Sequence, residues 1–92
     1  NIAYVNLENI DFEFELRQRQ DGDIIRPFGM RGSQKLKKYL NAKKIPNHQK
    51  GNLLFLTQGE EVLWAIGLGI SDRIKIISKP THRLQLYKKE GI

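Results

Sequence analysis

Phe12, Phe14 and Leu16 alternate with Glu13, Glu15 and Arg17, the period of two that a strand shows when one face is buried and the other wet. This spacing predicts a strand, followed by a turn at Asp21-Gly22-Asp23, where glycine admits positive φ and aspartate bonds its own backbone. Ile24 and Ile25 return to the core. Pro27, Gly29 and Gly32 then interrupt regular structure, so residues 26–32 read as a loop carrying Arg26, Met30 and Arg31. Behind Ser33, a favourable N-cap, Leu36, Tyr39 and Leu40 recur at helical spacing. They predict an amphipathic helix over 34–42 whose opposite side shows Gln34, Lys37, Lys38 and Asn41. Pro46 ends that helix, and residues 47–51 are expected to form one further short turn.

Two apolar runs follow, Leu53 to Thr57 and Val62 to Ile66, separated by Gln58-Gly59-Glu60-Glu61, which reads as a hairpin with Trp64 in the core. Ile74, Ile76, Leu84 and Leu86 alternate with polar residues, predicting two later strands joined through Lys79-Pro80-Thr81. The polar tail after Tyr87 is expected to fray. The fold class is therefore α+β: a small, mostly antiparallel sheet with one amphipathic helix and a second short helix. Ninety-two residues leave room for one core, so residues 1–92 are expected to be a single domain. A chain that starts at Asn1 fits a piece of a longer polypeptide.

Charge changes the picture more than total composition does. The net formal charge is +6, but it is unevenly placed. Residues 1–23 hold six acids and two bases, Arg17 and Arg19. Residues 24–59 hold eight bases (Arg26, Arg31, Lys35, Lys37, Lys38, Lys43, Lys44 and Lys50) and no acid. A solvated face normally mixes both signs, because unpaired like charges repel across a small surface. A polyanion offsets that repulsion, and nucleic acid is the commonest one; a basic surface without a partner is the alternative. Arg26 and Arg31, ahead of a capped helix that shows Lys35, Lys37 and Lys38, suit phosphate oxygens in particular.

Catalytic chemistry is not apparent. The chain has no cysteine, which excludes disulfides, a thiolate zinc site and a cysteine nucleophile. His48 and His82 cannot cage a metal alone, so no metal is expected. Gly67-Leu68-Gly69 lacks the third glycine and the following helix of a nucleotide loop and reads as a turn between strands. Glu13 and Glu15 read as the wet face of a strand, and nothing assembles a nucleophile, base and orienter. No apolar run approaches the roughly 20 residues of a membrane span, and no signal peptide is apparent; a soluble, cytoplasmic protein with no membrane partner is expected.

One ordered set of residues is more specific than any of these pieces. Arg17-Gln18-Arg19-Gln20-Asp21-Gly22-Asp23, Pro27-Phe28-Gly29-Met30-Arg31-Gly32, Lys35-Leu36-Lys37-Lys38-Tyr39-Leu40 with Lys44-Ile45-Pro46, and Val62-Leu63-Trp64-Ala65-Ile66-Gly67 together resemble the C-terminal domain of bacterial tRNA(Ile)-lysidine synthetase. The likeness runs from about Phe14 to Ile77; the last fifteen residues match nothing in it. It implies an accessory domain that binds an isoleucine tRNA, at its acceptor stem. A covalently linked N-terminal domain of the parent, using ATP with Mg, would adenylate the wobble cytidine and ligate lysine; the parent is also a candidate homodimer. The family's Ser-Gly-Gly-x-Asp-Ser ATP loop has no counterpart here, so this chain is expected to need no cofactor and to be non-catalytic alone. Charge map and resemblance nominate Arg19, Arg26, Arg31, Lys35, Lys37, Lys38, Lys44 and Lys50 for RNA contact. The sequence departs from the family pattern at Lys50 and Leu54, where members carry an arginine and a proline. Two other classes fit the same features: a scaffolding domain that stabilises the parent or its dimer, and a small domain of an aminoacyl-tRNA synthetase subunit.

Overall fold

The computed structural model describes residues 1–87. In chain order the elements are β1 (Ile2–Val5), β2 (Glu15–Arg17), β3 (Ile24–Ile25), β4 (Gln34–Lys35), α1 (Leu36–Ala42), α2 (Asn47–Lys50), β5 (Phe55–Gln58), β6 (Glu61–Ala65), β7 (Gly69–Ile70), a 3-10 turn at Asp72–Ile74, and β8 (His82–Gln85). The fold is α+β. Its main sheet runs β2-β5-β6-β3-β4, with β7 pairing the remaining stretch of β6. All of its pairings are antiparallel except β3 with β6.

The expected hairpin is the spine of this sheet. Alternation along β6 alone would send Val62 and Ala65 to opposite faces. The register slips between Leu56 and Thr57, and such a bulge turns the strand locally. Val62 and Ala65 thus both join Ile25, Leu36, Tyr39, Leu40 and Phe55 in one apolar cluster beneath α1. Leu63 joins a second cluster with Val5, Leu7, Ile10 and Ile74 on the other side. Trp64 is buried, as its sequence context predicts.

Four expectations are corrected. The strand from Phe12 to Arg17 shrinks to three residues at the sheet edge, and both Phe12 and Leu16 are exposed. Phe14 alone of the three packs against a core cluster, and the side chain that the strand buries is that of Arg17. Secondly, Ser33 does not cap the helix. Gln34 and Lys35 pair with Ile25 and Ile24 as β4, so the helix begins at Leu36 behind an extended Lys35 that offers no side-chain cap. Tertiary pairing has overridden a local capping signal, and the carbonyl of Asp23 accepts the Leu36 N–H instead, at 2.9 Å.

Thirdly, the stretch around Ile74 is not a strand. Ser71 Oγ accepts the Arg73 N–H and starts a 3-10 turn that buries Ile74 and leaves Ile76 exposed. The turn is imposed by Asp72, whose N–H donates to the Arg26 carbonyl and whose Oδ1 accepts the Gly29 N–H. Finally, the strand carrying Leu84 pairs with β1, an element missing from the sequence-based expectation, in a separate two-stranded ladder. The tail after Tyr87 lies outside the described residues.

Candidate nucleic-acid interface

Three ion pairs form among the described residues: Arg17 with Asp23, Arg73 with Glu61, and Lys75 with Asp72. Of the two bases in the acid-rich front only Arg17 takes part, and no cation of residues 24–59 does. Arg31, Lys35, Lys37, Lys38 and Lys44 are exposed without a carboxylate partner, as is Arg19. Unpaired surface cations project their potential over roughly 8 Å at physiological salt, so the block read in the sequence survives folding as a solvent-facing field.

The buried stripe of α1 sets the direction of its lysines. Leu36, Tyr39 and Leu40 face the core, which leaves Lys37 and Lys38 on the outer side. Lys35, in β4, stands beside them. The turn Gln20–Asp23 is tied to this helix start through the Asp23 carbonyl, and Arg19, Lys35 and Lys37 line one depression of about 260 Å³ with that turn. Of the two acids on that turn, the Asp23 carboxylate is already engaged by Arg17, which leaves Asp21 alone against three cations. Burial alone would push the Asp23 carboxyl upward, but the Arg17 guanidinium and the Gln20 N–H outweigh this and hold it below the usual carboxylate range.

The remaining candidates are spread. Lys44 follows α1 in the left-handed region at φ 59°, with its N–H on the Asn41 carbonyl. Arg31 sits on the loop before β4. Arg26 is half-buried in a separate recess of about 300 Å³ shared with Arg73, Lys75 and Asp72. Lys50 differs from the sequence-based expectation: it is 5% exposed, and its ammonium donates to the side-chain oxygens of Asn41 and Asn47. So placed, it ties α2 to the end of α1 rather than meeting a phosphate. A one-turn α2 with Lys50 as its last residue brings the stem under the helix pair, which a charge count along the sequence does not reveal.

Lys43, counted in the basic block but not among the residues nominated for RNA contact, has its ammonium 5.5 Å from the centre of the Tyr39 ring, within cation–π range. Its spacing of four from Tyr39 on a helix was the available signal. His48 and His82 are exposed, and His82 packs edge-on against Phe12. Among the described residues no group of three or more His, Cys, Asp or Glu side chains is placed to hold a metal ion. Nor is any helix long and apolar enough to cross a membrane.

Comparison with known proteins agrees with the residue pattern. The family described as TilS substrate C-terminal domain matches residues 14–86, so the likeness extends past Ile77 and takes in β8. A tRNA(Ile)-lysidine synthase of Caldanaerobacter subterraneus subsp. tengcongensis is 31% identical over 90 residues, covering 97% of this chain and 19% of the relative. The enzyme of the same name from Clostridium tetani is 32% identical over 90 residues, 98% of this chain and 19% of its own length. That of Bacteroides thetaiotaomicron is 34% identical over 86 residues, covering 94% and 20%. The chain thus spans about a fifth of the length of the curated relatives it matches. No solved structure matches it.

Proposed function

The chain belongs to the TilS substrate C-terminal domain family, and on that premise we propose that it binds tRNA by its phosphate backbone, at the acceptor stem of an isoleucine tRNA. In this reading residues 1–92 are one domain of a longer cytoplasmic ligase. It holds the tRNA so that the anticodon reaches a separate N-terminal domain, where ATP and Mg support lysine transfer to the wobble cytidine. The described residues do not suit ATP with Mg themselves: they include no phosphate loop and no cluster of carboxylates. The domain's share of the work is attachment and placement, and it is not catalytic alone.

The observation that carries this reading is the unpaired state of the basic block. Lys35, Lys37 and Arg19 outnumber the one unengaged acid, Asp21, around one depression, Lys38 and Arg31 lie exposed nearby in sequence, and none of the five cations forms an ion pair. Phosphates match such point charges, and the deep, narrow major groove of A-form RNA leaves little for side chains to read. Binding should therefore be tolerant of sequence. The test is a titration of the chain with tRNA at several salt concentrations. Log affinity should fall linearly with log salt, by about 0.7–0.9 per phosphate contacted; an affinity independent of salt would overturn the proposal.

One feature favours a second role. Phe12 and Leu16 are exposed beside Glu13 and Glu15, an acidic and apolar edge that would repel RNA and suits contact with another part of the parent enzyme or its dimer. Such an interface responds weakly to salt, so the same titration separates the two.

A further inference from the structure

Phe28 is 66% exposed, yet the loop that carries it is firmly held. Pro27 is buried and bridges to Ser71, the Met30 N–H closes a turn on the Pro27 carbonyl at 3.0 Å, and the Gly29 N–H donates to Asp72 Oδ1 at 3.0 Å. Gly29, at φ 83°, permits that turn. A side chain that could retreat into a core is thus fixed outward by its backbone.

Phe28 and Met30 form one wall of a groove of about 540 Å³ that continues over Tyr39, Lys43 and Leu68, a size common for small-molecule and nucleotide-sized ligands. Its few polar groups are unspent. Among the described residues neither the Tyr39 hydroxyl nor the Gln34 amide makes a side-chain hydrogen bond, and both line the groove. Burial raises the Tyr39 pKa, so its hydroxyl keeps its proton and can donate. No carboxylate lines the groove, and Lys43 stands at its margin.

We infer that this groove seats one unpaired nucleotide of the bound RNA, its base stacked on Phe28, its edge facing Gln34 and the Tyr39 hydroxyl, and its phosphate beside Lys43. The inference rests on the tRNA-binding reading and deepens it by naming a second kind of contact. Charge decides the occupant. A lining that is neutral and largely apolar except for Lys43 fits an anion with an apolar face, and base–aromatic stacking beside a cation is how single-stranded nucleic acid is held without sequence preference.

The experiment compares two RNA hairpins of identical stem, one blunt and one with a short single-stranded 3′ extension, binding to the 92-residue chain. Wild type should favour the extended hairpin by about tenfold, the order expected of one stacked base. Phe28→Ala should abolish that preference while leaving blunt-hairpin affinity within a factor of about two, and Phe28→Tyr should retain it, since any aromatic face can stack. Circular dichroism checks that each variant is folded. Equal wild-type affinity for both hairpins overturns the inference, as it would if the groove instead took a peptide. So does an equal loss on both in Phe28→Ala. Failure to bind either hairpin would overturn the tRNA reading beneath it.

Discussion

Arg17 holds Asp23 through two parallel hydrogen bonds, Nη1 to Oδ2 and Nη2 to Oδ1, each 2.8 Å long. The two side chains are only 9% and 3% exposed. The same guanidinium donates to the carbonyls of Gln18 and Gly59, while the Asp23 carbonyl accepts the first N–H of α1. One ion pair thus joins the edge strand, the turn and the helix start, and it fixes Lys35 and Lys37 relative to Arg19.

Breaking this pair from one side should be expensive, because it strands a charge in a buried place. Asp23→Asn is expected to lower unfolding stability by about 3–5 kcal/mol, a large part of the roughly 5–15 kcal/mol usual for a domain. Urea denaturation measures it. A loss below about 1 kcal/mol would mean the pair is not structural.

The same carboxyl sets an acid limit. Its pKa is held below the ordinary value in the fold, so the folded state binds the proton less readily than the unfolded chain. The pair's stability is therefore present above the unfolded value near ~3.9 and is lost as pH falls through the lower folded value. Denaturation midpoints of wild type should drop over that acid window, and Asp23→Asn should show a smaller drop there.

Much of this was legible in the sequence because the signals were local. The hairpin around Gly59, the helix stripe of Leu36, Tyr39 and Leu40, and the absence of acids in residues 24–59 all depend on neighbours in the chain. What was hidden depends on distant partners. Arg17 reads as the wet side of a strand until Asp23 is brought against it, and Ser33 reads as a cap until β3 claims Gln34 and Lys35. Lys50 counts as a free cation until two asparagines surround it. Phe28 reads as a loop residue, since nothing in sequence tells that Asp72 pins its loop.

Lys50 offers a direct check on that correction. Lys50→Met keeps an aliphatic stem of similar length but removes the donor to Asn41 and Asn47. Stability should fall by about 1.5–3 kcal/mol, the net contribution of hydrogen bonds made by a charged group, while the salt dependence of tRNA binding stays the same. A flattened salt slope at unchanged stability would return Lys50 to the interface.

Lys44 carries local strain, since a side chain at φ 59° is disfavoured where glycine is not. Lys44→Gly should raise stability by about 0.5–1 kcal/mol. Lys44→Ala removes the same charge and keeps the strain, so the difference between the two variants in thermal or urea unfolding isolates the backbone effect. No difference would show that the left-handed turn costs nothing here.

In the proposed tRNA complex the outer face of α1 meets RNA phosphate. Lys37 and Lys38 are exposed and make no ion pair, so replacing both by alanine should leave the core cluster of Leu36, Tyr39 and Leu40 undisturbed. The decisive measurement is tRNA affinity of wild type and the Lys37→Ala, Lys38→Ala double variant across several salt concentrations, with circular dichroism to confirm folding. Loss of two phosphate contacts should weaken binding similarly for any RNA duplex and flatten the slope of log affinity against log salt by about 1.5. An unchanged affinity and slope in the folded variant would contradict the claim.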